Sequence, residues 1–141
     1  MTNKKTIKKE LFCTFDQSYA LEELGFTDPC LATINDINSL HLKGTRKPLY
    51  GGSQTTENVN CPLKSQVFEW FEREHKLFSE IHVDCTTYPK FCYNINKFIG
   101  NPKDLTAEEW GWEVGNYSYL FKNRHEAENE CINKLIKLIK L

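Results

Sequence analysis

Phe78-Ser79-Glu80-Ile81-His82-Val83-Asp84-Cys85-Thr86 and Phe91-Cys92-Tyr93-Asn94-Ile95-Asn96-Lys97-Phe98 are the two runs whose reading decides the fold. Both alternate with the period of a strand. In the first, Ile81, Val83 and Cys85 stand against Glu80, His82 and Asp84; in the second, Phe91, Tyr93 and Ile95 stand against Cys92, Asn94 and Asn96. The turn-rich stretch between them, with Tyr88 and Pro89, predicts an antiparallel hairpin. Pairing Cys85 with Phe91 sets Val83 against Tyr93 and Ile81 against Ile95, so that one face is wholly apolar. The same register sets Asp84 against Cys92 and His82 against Asn94 on the other face.

Downstream, residues 100–113 read as an insert, with Asn101-Pro102 and a short helix capped by Thr106 and Glu109. Val114 to Phe121 resumes as a strand, and Asn123 with Glu126 marks the start of a final helix. Ala127, Cys131, Ile132, Leu135, Leu138 and Ile139 give that helix an apolar stripe. Its early glutamates and late lysines (Lys134, Lys137, Lys140) match the helix dipole.

Upstream, Pro62 and the spacing of Leu63, Val67, Trp70 and Phe71 predict a helix capped by Asn60 or Cys61. Residues 43–60, rich in Gly and polar side chains, read as a long loop. Before it, residues 30–34 and 37–42 form a second hairpin around Asn35-Asp36. A helix precedes that hairpin: Thr14 and Gln17 form a capping box, and Gly25 ends the helix in the left-handed conformation with Phe26 folding back onto Leu21. Residues 1–10, with four lysines, read as a frayed terminus. The order is α-β-β-loop-α-β-β-insert-β-α. It predicts a single α+β domain over 1–141, with one antiparallel sheet and helices packed on one face.

Composition narrows the function classes. The 141 residues carry 18 Lys+Arg against 19 Asp+Glu, and 40% are hydrophobic and 13% aromatic. Such a chain can bury a core, and a net charge of −1 gives no bulk attraction to nucleic acid or to an anionic membrane. No apolar run approaches the roughly 18 residues of a membrane span. The Met-Thr-Asn-Lys-Lys start lacks the apolar stretch of a signal peptide, so a cytoplasmic protein is expected. Cysteines at 13, 30, 61, 85, 92 and 131 form no CxxC pair, and in that compartment they read as free thiols.

Three constellations carry chemistry. His82, Asp84 and Cys92 are the parts of a nucleophilic site, a thiol with a base and an orienting carboxylate. In the register above, however, His82 and Cys92 are only diagonal neighbours, about 7 Å apart. A zinc site recruiting His75, His82, Cys85 and Cys92 fails on alternation, because a regular strand presents His82 and Cys85 on opposite faces. The chain therefore implies no metal and no cofactor. The third constellation is aromatic: Trp110, Trp112, Tyr117 and Tyr119 around the insert, Tyr88 in the hairpin loop and Tyr50 in the long loop. Such rings supply contact area at low entropic cost, and they mark Trp110, Trp112, Tyr117, Tyr88 and Tyr50 as candidate binding residues. Residues 62–141 also share the α-β-β-β-α order of double-stranded-RNA-binding domains. The final helix opens with Arg124-His125-Glu126-Ala127-Glu128, largely acidic where cations would meet phosphates, so nucleic acid is not the expected partner. P-loop, GxGxxG, HExxH and GxSxG signatures are absent.

Leu21-Glu22-Glu23-Leu24-Gly25-Phe26 followed by Pro29-Cys30, Val67-Phe68-Glu69-Trp70-Phe71, and Tyr88-Pro89-Lys90-Phe91-Cys92-Tyr93 resemble segments of small uncharacterised proteins of bacteriophages and Bacteroidota genomes. The likeness runs from residue 11 onward. It implies a bacterial cytosol and a phage or mobile-element origin, and it carries over no catalytic or binding residue. The resulting expectation is a non-catalytic interaction protein, with a homodimer as one possible assembly. It would bind a host protein, such as a defence protein, or a small signalling nucleotide. The alternatives are a small enzyme using the His82/Asp84/Cys92 face and an RNA-binding module.

Overall fold

In the computed structural model, which describes residues 8–44, 58–84, 90–99 and 111–140, the elements are α1 (Phe15–Glu23), β1 (Ala32–Asn35), β2 (Leu40–Leu42), β3 (Asn58–Cys61), α2 (Lys64–His75), β4 (Leu77–Asp84), β5 (Lys90–Ile99), β6 (Gly111–Phe121) and α3 (Arg124–Lys140). Lys9–Leu11, placed by sequence at the edge of a frayed terminus, forms a single 3₁₀ turn. The fold is α+β with antiparallel pairing throughout. The strands are divided between two three-stranded sheets, β2-β1-β3 and β4-β5-β6, rather than gathered in one. Both edges of β1 are taken up by β2 and β3, and both edges of β5 by β4 and β6, so each sheet is complete around its central strand. The chain accordingly separates into two compact units, Met1–Gln66 and Val67–Leu141.

In the first unit the local signals act as read. The Thr14 hydroxyl accepts the Gln17 amide, and the Gln17 side chain accepts the Thr14 N–H, which satisfies two otherwise orphaned donors. At the other end Gly25 adopts φ 95°, while the amides of Gly25 and Phe26 donate to Glu22 and Leu21. The β1–β2 turn spans residues 36–39, later than the Asn35-Asp36 reading placed it. The Asn35 carboxamide oxygen accepts the amides of Ile37 and Ser39. Asn38 takes φ 57°, and its own side-chain oxygen accepts the Phe15 amide at 3.1 Å, tying the turn to the start of α1.

The strand β3 lies inside the stretch read as loop. Asn58-Val59-Asn60-Cys61 alternates exposed and buried positions and pairs with β1 as Ala32↔Cys61 and Ile34↔Val59. With only two apolar residues in four, its signal sank into the polar tract before it. Because residues 58–61 serve the sheet, α2 starts at Lys64, two residues beyond the expected Pro62. The Leu63 amide there donates to the Gln66 side chain. Phe12, Ala32, Ile34, Leu40, Val59 and Cys61 form the core of this unit, and α1 packs on β1 and β3.

In the second unit β4 and β5 pair two residues away from the predicted register, with Val83 against Phe91, His82 against Cys92 and Ile81 against Tyr93. The physical reason is the pleat. A slip of two keeps every side chain on its face, so alternation fixes the faces and leaves even slips degenerate. The strand β6 begins at Gly111, so residues 111–113, expected in the insert, belong to the sheet; the rest of the insert lies outside the described residues. Asn123 caps α3 by accepting the Glu126 amide. The helix buries Ala127, Cys131, Ile132, Leu135 and Ile136 and packs against all three strands. Ile136 takes the place expected for Leu138 and Ile139, which are only half-buried. Among the described residues no helix is long and apolar enough to cross a membrane.

Two truncations test these assignments in urea titrations. Thr14→Ala removes the cap of α1 and is expected to cost about 1 kcal/mol. Ile132→Ala leaves a hole in the buried stripe of α3 and is expected to cost about 2–5 kcal/mol.

Candidate functional site

The sheet β4-β5-β6 has one face under α3 and one polar face, and the two offer different chemistry. On the polar face the true register brings His82 directly opposite Cys92, whereas the sequence register made them diagonal. Direct neighbours have Cβ atoms about 4.5–5.5 Å apart, so the pair is closer than expected. Asp84 instead pairs with Lys90 at the end of the ladder, two positions along β4 from His82. The His82 partners are Asn94, whose side-chain nitrogen lies 2.8 Å from Nε2, and Glu80, whose carboxylate lies 3.1 Å from the same nitrogen. A bare Nε2 accepts from the amide and a protonated one donates to the carboxylate, so the ring's proton chooses between the two neighbours. With Glu80 and His82 both well exposed, this ion pair is weak. Among the described residues no group of three His, Cys, Asp or Glu side chains is arranged to hold a metal ion.

Of the aromatic candidates, Tyr50, Tyr88 and Trp110 lie outside the described residues. Trp112 and Tyr117 occupy β6, where their backbones pair with Phe98 and Tyr93 respectively. Trp112 is thus a strand residue rather than part of a loop.

A concavity among the described residues lies on the other face, at the end of the sheet beside α3. It is an open groove of about 470 Å³ walled by Tyr93 of β5 and by Leu120 and Phe121 of β6. Glu130, Asn133, Lys134 and Lys137 line its α3 side. The elements place these groups for simple reasons. Residues 130, 133, 134 and 137 follow the i, i+3, i+4, i+7 spacing and so share one helix stripe, next to the stripe that α3 buries. Opposite Phe91-Tyr93, the strand β6 runs from Tyr117 to Phe121, and this register shift brings Phe121 alongside the Tyr93 ring. Their rings stack with centroids 6.3 Å apart and 21° between planes. Tyr93 is buried, while Leu120 is 49% exposed, so the wall grades from a rigid ring to open apolar surface.

Sequence reasoning assigned the α3 lysines to the helix dipole alone and passed over Tyr93, Leu120 and Phe121. The signal that would have found the groove is the polar stripe flanking the apolar one on α3. No family model, curated protein or solved structure matches the chain at a significant level.

Among the described residues, Cys13, Cys30, Cys61 and Cys131 are buried. Cys61 donates to the Cys13 carbonyl at 3.2 Å, and burial pushes its thiol up to about 12. Burial does the same to Cys131, also to about 12. Cys92 is only half-buried. In the native protein iodoacetamide is therefore expected to modify Cys92 and spare Cys61 and Cys131 until urea is added, as read by peptide mass mapping. A folded value raised above the unfolded 9.0 means that the folded state holds its proton more tightly. The stabilisation is complete below pH 9 and is lost as pH rises toward about 12, so the melting temperature is expected to fall steeply across that window.

Proposed function

We propose that this chain is a non-catalytic interaction protein of the phage type, acting in the bacterial cytosol. In this reading it binds a host component through the groove between the β5–β6 end and α3, in host takeover or counter-defence. The observation that carries the reading is the groove: a stacked aromatic wall and an exposed leucine face a polar helix stripe with two lysines. Rigid aromatic anchors rimmed by cations are the usual makings of a contact site. The α-β-β-β-α order of residues 64–140 is shared with duplex-RNA binders. Glu126 in the first turn of α3 works against phosphate at that helix end, so RNA is not the partner proposed.

The direct His82–Cys92 pairing favours a second reading, a thiol enzyme on the polar face. The two are separated by capture from bacterial lysate with the immobilised full chain. Phe121→Ala, with its circular dichroism unchanged, is expected to reduce retention of the bound host component by about tenfold or more. Cys92→Ser is expected to leave retention as it is. Equal retention by wild type and Phe121→Ala overturns the groove reading, and loss with Cys92→Ser transfers the function to the polar face.

A further inference from the structure

We propose that the groove takes a nucleotide, its base against the Phe121–Tyr93 wall and its phosphate at Lys134 and Lys137. The inference rests on the groove being the binding site of the preceding section and names the chemistry of its ligand. Size comes first. A volume of about 470 Å³ falls in the range of small-molecule and cofactor sites, about 300–1,000 Å³, whereas a stable protein partner needs about 800 Å² of surface from each side.

Chemistry narrows the ligand further. One wall is a stacked pair of rings, of which Phe121 is the more exposed and Tyr93 the buried support. Such a wall accepts the face of any nucleobase, and base–aromatic stacking is indifferent to sequence. The facing α3 stripe sets two ammonium groups one turn apart, Lys134 half-buried and Lys137 exposed. Charge-assisted hydrogen bonds from such groups are what a phosphate seeks. Lys137 lies in the last turn of α3, where free carbonyls disfavour an anion, so a phosphate there depends on the lysine charges. Glu130 and Asn133 complete the stripe. A carboxylate can accept from ribose hydroxyls, and a carboxamide both donates and accepts as a base edge requires. Among the described residues of the lining, two cations stand against one anion. An uncharged nucleoside would bring no anion to the lysines, and an inorganic anion would leave the rings uncovered.

Calorimetric titration of the full chain with ADP and GDP, with adenosine and guanosine, and with pyrophosphate tests this directly. Each diphosphate is expected to bind at least about tenfold more tightly than its nucleoside and than pyrophosphate. Its affinity is expected to fall with added salt, and the double variant Lys134→Gln, Lys137→Gln, which removes no core side chain, should reduce it to the nucleoside level. Phe121→Leu is expected to weaken diphosphate and nucleoside alike. Nucleoside or pyrophosphate binding as tight as the diphosphate overturns the proposal, and so does the absence of saturable binding by any of these probes. Should these probes fail while lysate capture still depends on Phe121, the nucleotide falls and the interaction function stands; should both fail, the groove has neither role.

Discussion

Burial of the α3 stripe against β4-β5-β6 is the contact on which the rest of the second unit depends. Ala127, Cys131, Ile132 and Leu135 are fully enclosed, and Tyr93 and Ile95 on the central strand are nearly so. At about 25 cal/mol per Å² of apolar surface removed from water, this one seam outweighs any hydrogen bond or ion pair in the unit. It also fixes the rotation of the helix. Once those residues point into the sheet, the neighbouring stripe of Glu130, Asn133, Lys134 and Lys137 must face the sheet's end. The groove is thus a by-product of packing, and the helix backbone along its polar edge is held by the core behind it.

The two faces of that sheet are occupied in opposite ways. Under α3 the strands present rings and aliphatic groups, and on the other side they present Glu80, His82, Cys92 and Asn94. The polar side holds reactive residue types, but its imidazole nitrogen already meets an amide and a carboxylate. On the groove side, among the described residues, an apolar wall meets two lysines and one glutamate.

How much of this could be read beforehand depended on the kind of signal. Capping and termination were legible residue by residue, because Thr14, Gln17, Gly25 and Asn123 act on the backbone within a few positions. Alternation likewise separated the faces of β4 and β5. It could not choose between registers two residues apart, and that choice alone brings His82 opposite Cys92. The short β3 was invisible because four residues with two polar members form a strand only when β1 offers an edge. The groove depends on α3 meeting the end of β6, a contact between segments with no local signature at either. For the same reason, rings chosen for their type in sequence did not include the pair that stacks.

Asn38 concentrates two demands in one side chain. Its backbone is left-handed at φ 57°, and its carboxamide oxygen reaches back across 23 residues to the amide of Phe15. Glycine would satisfy the first demand only, and serine or threonine would meet the second while straining the first. Aspartate answers both, tolerating the left-handed backbone and offering an oxygen to the same amide.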